Sequence, residues 1–398
     1  MNIEQIGLDC VGCGSCEQLC PHKAITLQPS HEGFLYPVID KNNCIDCSAC
    51  FLHCPQNKDS KELVEKRIQP ISYNAISRLN RFYKRSSSGA AFATFAYLFL
   101  SRYNNAIVCG ASFFNGLVQH VIINKASEIH MLQGSKYVQS QIGNCFIKIR
   151  EHLKKGGYVL FSGTPCQVAG LVKFLGKPYK ERLLLIDIIC HGVPSPKFLA
   201  KDLLLYEKDS TRIKDVTFRR KHPIYKNKSQ FCLRVISKTE LTLPKASSVN
   251  LPYDPYFAMF SKGLTLRYSC YQCHYANLKR VGDITIGDCD SHSLYPNFHP
   301  YESTSVIIIN SGKGLDEWAK MKDKFDYIDL DLDKEADVNV QLRHSFRCPP
   351  ERETIYKDIN TLPITEIKRK YARPIGLRAK IGKFLFMLLP ERIYNKLT

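Results

Sequence analysis

The chain has 398 residues, of which 44% are hydrophobic and 11% aromatic, and it carries a formal charge of +19. Such a composition excludes a mainly disordered chain, and the length calls for two or three domains rather than one small module. No apolar run approaches the roughly 18 to 20 residues that a membrane-spanning helix needs. The charge is uneven. Residues 1–60 hold Lys23, Lys41 and Lys58 against Glu4, Asp9, Glu17, Glu32, Asp40, Asp46 and Asp59, a net −4, so the remaining body carries +23. A field of that size attracts nucleic acid, an anionic membrane surface, an acidic redox partner or a phosphate-bearing cofactor. No nucleic-acid-binding motif accompanies it, and no nucleic acid is expected. The N-terminus shows no basic stretch followed by an apolar core, so the expected location is the cytoplasm. In that setting seventeen cysteines point to metal ligation rather than to disulfides.

Two cysteine runs open the chain: Cys10-x2-Cys13-x2-Cys16-x3-Cys20-Pro21 and Cys44-x2-Cys47-x2-Cys50-x3-Cys54-Pro55. This is the bacterial two-cluster ferredoxin spacing, in which three thiolates of each run hold one cubane and the fourth crosses to the other. Cys10, Cys13, Cys16 and Cys54 are therefore expected on one [4Fe–4S] cluster, and Cys44, Cys47, Cys50 and Cys20 on the second. Structural zinc sites more often use two Cys-x2-Cys knuckles separated by a longer gap. The expected domains are a ferredoxin over residues 1–60, a linker over 61–70, a body in two parts over 71–150 and 151–365, and a basic amphipathic tail over 366–398.

In the body, Gly89–Ser101 reads as a buried helix, and Asn105–Gly110 and Gln119–Ile123 as strands. Ile142, Phe146, Ile149 and Leu153 share one face of a helix that ends at Gly156-Gly157. Next come a strand at Tyr158–Ser162, a helix around Val168–Leu175 and a strand at Leu183–Ile189. A right-handed β-α-β crossover makes these strands parallel and puts the loops that follow them on one sheet edge. Cys166 and Cys190 can then meet, and with Cys270-x2-Cys273 they supply four thiolates for a third [4Fe–4S] cluster. Zinc or a redox pair at Cys270 and Cys273 is the alternative. Cys109, Cys145, Cys232, Cys289 and Cys348 read as core cysteines. Asp215–Phe218 and Phe231–Ile236 read as strands of a smaller α+β lobe around a basic segment, Arg219–Lys228. The tail pairs nine Lys or Arg from Lys368 onward with the apolar patch Phe384–Leu389, which makes it a candidate for contact with the inner face of a membrane or with a partner.

Six segments resemble the beta subunit of coenzyme F420-reducing hydrogenase and its relatives, among them 7-hydroxymethyl chlorophyll a reductase. They are Ser86–Ala90, Gly134–Ser140, Phe161–Gln167, Cys190–Ser195, and Tyr268–Cys273 followed by Asp283–Asp288. The resemblance implies an α/β flavoprotein in which FAD sits beside a [4Fe–4S] cluster. It also implies that a two-electron donor or acceptor, a small molecule such as a deazaflavin, docks on the flavin. Single electrons would pass on through the clusters, in either direction, to a redox partner protein. The local chemistry agrees: Ser86, Ser88 and Gly89 open a helix whose free N–H groups suit the FAD pyrophosphate, a plain cap being the alternative. In the Gly/Ser-bracketed loop of Ser135, Lys136, Tyr137 and Gln139, Lys136 and Tyr137 can pair a phosphate and cover a ring, or the loop is a surface turn. Thr164 and Gln167 can reach flavin polar edges, and His191 can relay a proton or hydrogen-bond the backbone. Relatives commonly carry an aromatic residue after the Gly-Asp pair, where this chain has Cys289-Asp290. The rival reading is a non-catalytic ferredoxin-type electron-transfer subunit of a larger reductase.

Overall fold

The two cysteine runs fold as near-duplicates. In each, a residue with left-handed backbone (Gly14, φ 72°; Ser48, φ 62°) turns the chain into one short helix, Ser15–Leu19 or Ala49–Leu52, that carries the third cysteine of the run. Glycine takes that conformation without steric cost, and serine does not. The computed structural model describes residues 1–57, 67–114, 116–176, 182–209, 212–221, 229–237, 245–250 and 253–374.

Thirteen strands form three sheets among the described residues. They are β1 (Ile25–Pro29), β2 (Leu35–Ile39), β3 (Arg67–Ser77), β4 (Ala106–Phe114), β5 (Leu117–Ile123), β6 (Tyr158–Gly163), β7 (Leu183–Ile188), β8 (Ile213–Lys221), β9 (Ser229–Ser237), β10 (Lys245–Asn250), β11 (Ile284–Asp288), β12 (Ser305–Ser311) and β13 (Phe325–Asp329). The hairpin β1-β2 belongs to the ferredoxin, β10-β9-β8 to the lobe, and the main sheet runs β13-β3-β12-β11-β7-β6-β4-β5. Its centre, β4-β6-β7-β11, is parallel, and antiparallel strands complete both sides. The parallel pairing expected for the two central strands is present, with Leu160 opposite Leu184 and Gly163 opposite Asp187. Val159, Leu160, Phe161, Leu183, Leu184 and Leu185 are all buried, as strands covered on both faces must be. One face packs under the helix Ala91–Arg102 and Trp318, the other under the helices Cys145–Lys154 and Pro165–Leu175.

The lobe core gathers Phe198, Phe218, Tyr256, Phe257 and Tyr356, and Phe34 of the ferredoxin is buried in the same cluster. The ferredoxin is thus built into the body. Gly33 (φ +87°) turns its hairpin where a Cβ would collide with Lys197. Glu32 meets Arg352 through both carboxylate oxygens at 2.6 Å.

Several expectations need correction. Residues 67–70 open β3 and belong to the main sheet rather than to a linker. A division of the body at residue 150 cuts through that sheet, because β3 lies between β12 and β13. Cys348 is exposed, whereas Cys109, Cys145 and Cys289 are buried; the side chain of Cys232 and the patch Phe384–Leu389 lie outside the described residues. No helix among the described residues is long and apolar enough to cross a membrane.

Asp202 and Asp254 are buried together in the lobe. Burial, and then the charge of Asp254, holds the Asp202 proton well above the usual carboxylate range. The folded state therefore binds this proton at pH values where the unfolded chain has released it. That stability is full below the unfolded value of about 4 and is lost as pH rises through the folded value. Asp202→Asn should remove this dependence: denaturant unfolding at about pH 6 and about pH 8.5 should show a smaller loss at the higher pH than in the wild type. An identical loss in both proteins counts against the buried proton.

Candidate functional site

Cys166 sits in the first turn of the helix Pro165–Leu175 after β6, and Cys190 follows the end of β7. The 3-10 turn Tyr268–Gln272 presents Cys270 and leads into Cys273. All four line one small cavity, which Val11 and Gln56 of the ferredoxin close from the other side. Burial pushes Cys166 up to about 11 and Cys270 up to about 12, and raises Cys190 and Cys273 as well. Mutual repulsion adds to this: the charges of Cys270, Cys166 and Cys273 all bear on Cys190. Buried thiolates that repel one another are stable only against a strongly bound cation, so this donor set fits a cubane. Thr164 Oγ1 lies 3.1 Å from Cys166 Sγ, and the Gly192 amide donates to Cys190 Sγ at 3.4 Å.

The loop after Cys273 is pinned by Arg280. Its guanidinium donates to the carbonyls of Tyr275 and Ile188, each at 2.9 Å, and to Asp187 Oδ1 at 3.3 Å. Asp187 Oδ2 in turn accepts from the amides of Val281 and Gly282. Both charges are fully buried and fully partnered, which is the condition under which a buried pair is tolerable.

On the far side of Cys190 lies a cavity of about 710 Å³, lined in part by Ser86, Ser88, Lys136, Tyr137, Thr164 and Asp288. That volume falls in the range of organic cofactor sites. Burial lowers Lys136 to about 7, and its ammonium donates to the Gln133 carbonyl at 2.9 Å. Lys221, also lowered to about 7 by burial, donates to the Ser88 carbonyl at 2.7 Å and stands over the Tyr83 ring. Arg219 pairs with Asp288. Asp290 opens onto the cavity, yet surrounding protein desolvates it, and the charges of Asp288 and Glu335 help push it up to about 7. His191 lines both cavities and is lowered by desolvation. His120 is buried between the Ser162 carbonyl and Ser140 Oγ and falls to about 4, so it is neutral near pH 7. A pocket with several cationic and several acidic groups can hold a phosphate-bearing cofactor and can also move a proton.

In the ferredoxin, Cys10, Cys13, Cys16 and Cys54 stand together: the charges of Cys54, Cys16 and Cys10 all bear on Cys13, whose largest shift comes from burial. Cys20, Cys44 and Cys50 pack around the same small core, and Cys47 is exposed.

Of the residues expected at the cofactor, Ser86, Ser88, Ser135, Lys136, Tyr137, Thr164 and Gln167 line the large cavity. Gly89 does not, because its amide donates to Ser305 Oγ at 2.9 Å; the helix begins only at Ala91, after Ala90 in left-handed conformation. Ser88 Oγ is also bonded to Ser305 Oγ. Gln139 faces the ferredoxin, donating to the Val11 carbonyl at 3.0 Å. The Gln167 amide is consumed by Ser140 and by the Thr164 amide, so its role is to cap its helix. Arg219, Lys221, Arg280 and Asp290 went unrecognised in the sequence. A lone basic residue in a basic stretch carries no mark of burial; for Asp290 the departure at Cys289-Asp290 was the signal.

Residues 157–332 match the family described as the C terminus of the Coenzyme F420 hydrogenase/dehydrogenase beta subunit, and residues 9–58 match the 4Fe-4S dicluster domain. Among solved structures, a chain of the F420-reducing [NiFe] hydrogenase complex from Methanosarcina barkeri is similar at 16% identity and a TM-score of 0.44, over 73% of this chain and 98% of that one. A likeness so weak carries no argument. No curated protein matches the chain.

Gly170, on the helix that carries Cys166, touches the ferredoxin directly: a Cβ there would lie 2.8 Å from Cys13 Cβ and 2.9 Å from its Sγ. Gly170→Ala should therefore strain the seat of a cysteine with no freedom to retreat, costing about 1–3 kcal/mol. Thermal unfolding of anaerobically purified protein should shift downward and iron content should fall. An unchanged midpoint would show that the contact relaxes freely.

Proposed function

We propose that the chain, whose residues 157–332 match the C terminus of the coenzyme F420 hydrogenase/dehydrogenase beta subunit and whose residues 9–58 match a 4Fe–4S dicluster domain, is an FAD-dependent reductase or dehydrogenase of that family with three [4Fe–4S] clusters. One observation carries the reading. The large cavity, the four body thiols and the first ferredoxin loop are contiguous, with Cys190, His191 and Gly192 lining both cavities and Val11 closing the second.

A bound flavin supplies the exchange between two-electron and one-electron chemistry, and cubanes carry single electrons only. The chain's own residues do the rest. Lys136, with Lys221 behind Ser88, supplies positive charge for an anionic group at one end of the cavity. Arg219 holds Asp288 in place and reaches the Tyr137 hydroxyl. Asp290, pushed up to about 7, is a group there that exchanges a proton near neutral pH, and His191, lowered by desolvation, is a second proton relay. Cys166, Cys190, Cys270 and Cys273 hold the body cluster; Cys10, Cys13, Cys16 and Cys54 hold the neighbouring ferredoxin cluster; Cys20, Cys44, Cys47 and Cys50 hold the outer one. The donor or acceptor is a small two-electron carrier such as a deazaflavin, and the single electrons go to or come from a redox partner protein.

Iron, acid-labile sulfide and flavin per chain, measured on protein purified without oxygen, test this reading. The expected result is about twelve iron, three clusters of four, with one FAD; eight iron without flavin would overturn it in favour of a non-catalytic electron-transfer subunit. Lys136→Met should weaken flavin retention by about tenfold or more, the loss of one charged hydrogen bond, while leaving iron unchanged. Full flavin occupancy in that variant would remove Lys136 from the site.

A further inference from the structure

Arg267 is fully buried. Its amide donates to the Val193 carbonyl and its carbonyl accepts from the Cys270 amide, both at 2.9 Å, so its backbone is fixed between the loops of Cys190 and Cys270. Its guanidinium crosses to the ferredoxin. Nε donates to the Cys10 carbonyl at 2.6 Å, Nη2 to the Leu35 carbonyl at 2.9 Å and Nη1 to Gln139 Oε1 at 3.0 Å, with the Tyr36 ring 4.2 Å beneath. None of these partners is a carboxylate. Gly12, between Cys10 and Cys13, admits no side chain because a Cβ would lie 2.9 Å from Nη1. The cation thus touches one cluster loop and is anchored on another, and it lines the small cavity of the four body thiols.

We propose that Arg267 is the shared counter-charge of the body cluster and the neighbouring ferredoxin cluster, raising the reduction potential of both above the value that the thiolates alone would set. Each gains one negative charge when it accepts an electron from a one-electron reductant. A fixed cation in a dry, low-dielectric interior stabilises that extra charge, and the effect falls with distance. The outer cluster, held on the side where Cys47 is exposed, receives little of it. A guanidinium suits the position because its five donors, fixed in one plane, serve three partners at once. The inference rests on the three-cluster reading above.

The test is potentiometric titration, monitored by electron paramagnetic resonance, of the anaerobically purified full chain and of Arg267→Gln and Arg267→Lys, with iron counted in each. Arg267→Gln keeps a planar donor while losing the charge and part of the hydrogen bonding. With full iron, two of its three clusters should titrate at lower potential and the third should be unmoved, while Arg267→Lys should restore part of the shift. Unchanged potentials at full iron would overturn the proposal, as would a loss of four irons in both variants, which makes the arginine only a strut. Eight irons in the wild type would sink the three-cluster reading instead. The proposal would then be decided on the ferredoxin cluster near Cys10, whose potential should still fall in Arg267→Gln.

Discussion

Arg352 and Glu32 meet two nitrogens to two oxygens, each pair at 2.6 Å, with both side chains largely out of solvent. Arg352 also donates through Nε and Nη2 to the Leu266 carbonyl. One side chain therefore ties the ferredoxin hairpin to the residue just before Arg267, within a few residues of Cys270. Removing either partner of such a pair leaves a buried charge uncompensated, at about 3–5 kcal/mol. The spacing between the two thiol sets depends on this tie more than on any apolar contact, since burial of Phe34 in the lobe core is not directional. The Ser195 hydroxyl, donating to the Glu32 carbonyl, and Lys197, donating to the His31 carbonyl, complete the seat.

At the large cavity the basic groups are desolvated: Lys136 on its wall, Lys221 just behind Ser88, and Arg219, which is matched by Asp288. Glu335 is buried and accepts from the amides of Asp290 and Ser291 and from Ser291 Oγ, which fixes the backbone that offers Asp290 to the cavity. Cationic and acidic groups thus share one space, as suits a site that binds an anionic molecule and also handles a proton.

The sequence was most legible where spacing is dictated by covalent geometry. Cysteine runs at these fixed intervals suit little besides paired cubanes, and the β-α-β unit placed Cys166 and Cys190 on one edge because crossover handedness leaves no choice. The alternation of helix and strand likewise announced an α/β body with a smaller lobe. What remained hidden depends on distant segments meeting. That β3 inserts between two strands from the far end of the chain, or that Gln139 turns to Val11 rather than to the cavity, follows from packing that no local period records. The helix expected from Gly89 begins only at Ala91, after the left-handed residue Ala90, and Gly89 pairs with Ser305 instead.

The insertion of β3 and the grip of Arg352 share a consequence for biosynthesis. The ferredoxin and β3 are made well before their partners β12, β13 and Arg352. Until those segments emerge the early strand keeps open edges and the ferredoxin lacks its Arg352 seat, so the main sheet and the contact between the two thiol sets can close only after residue 352 is made.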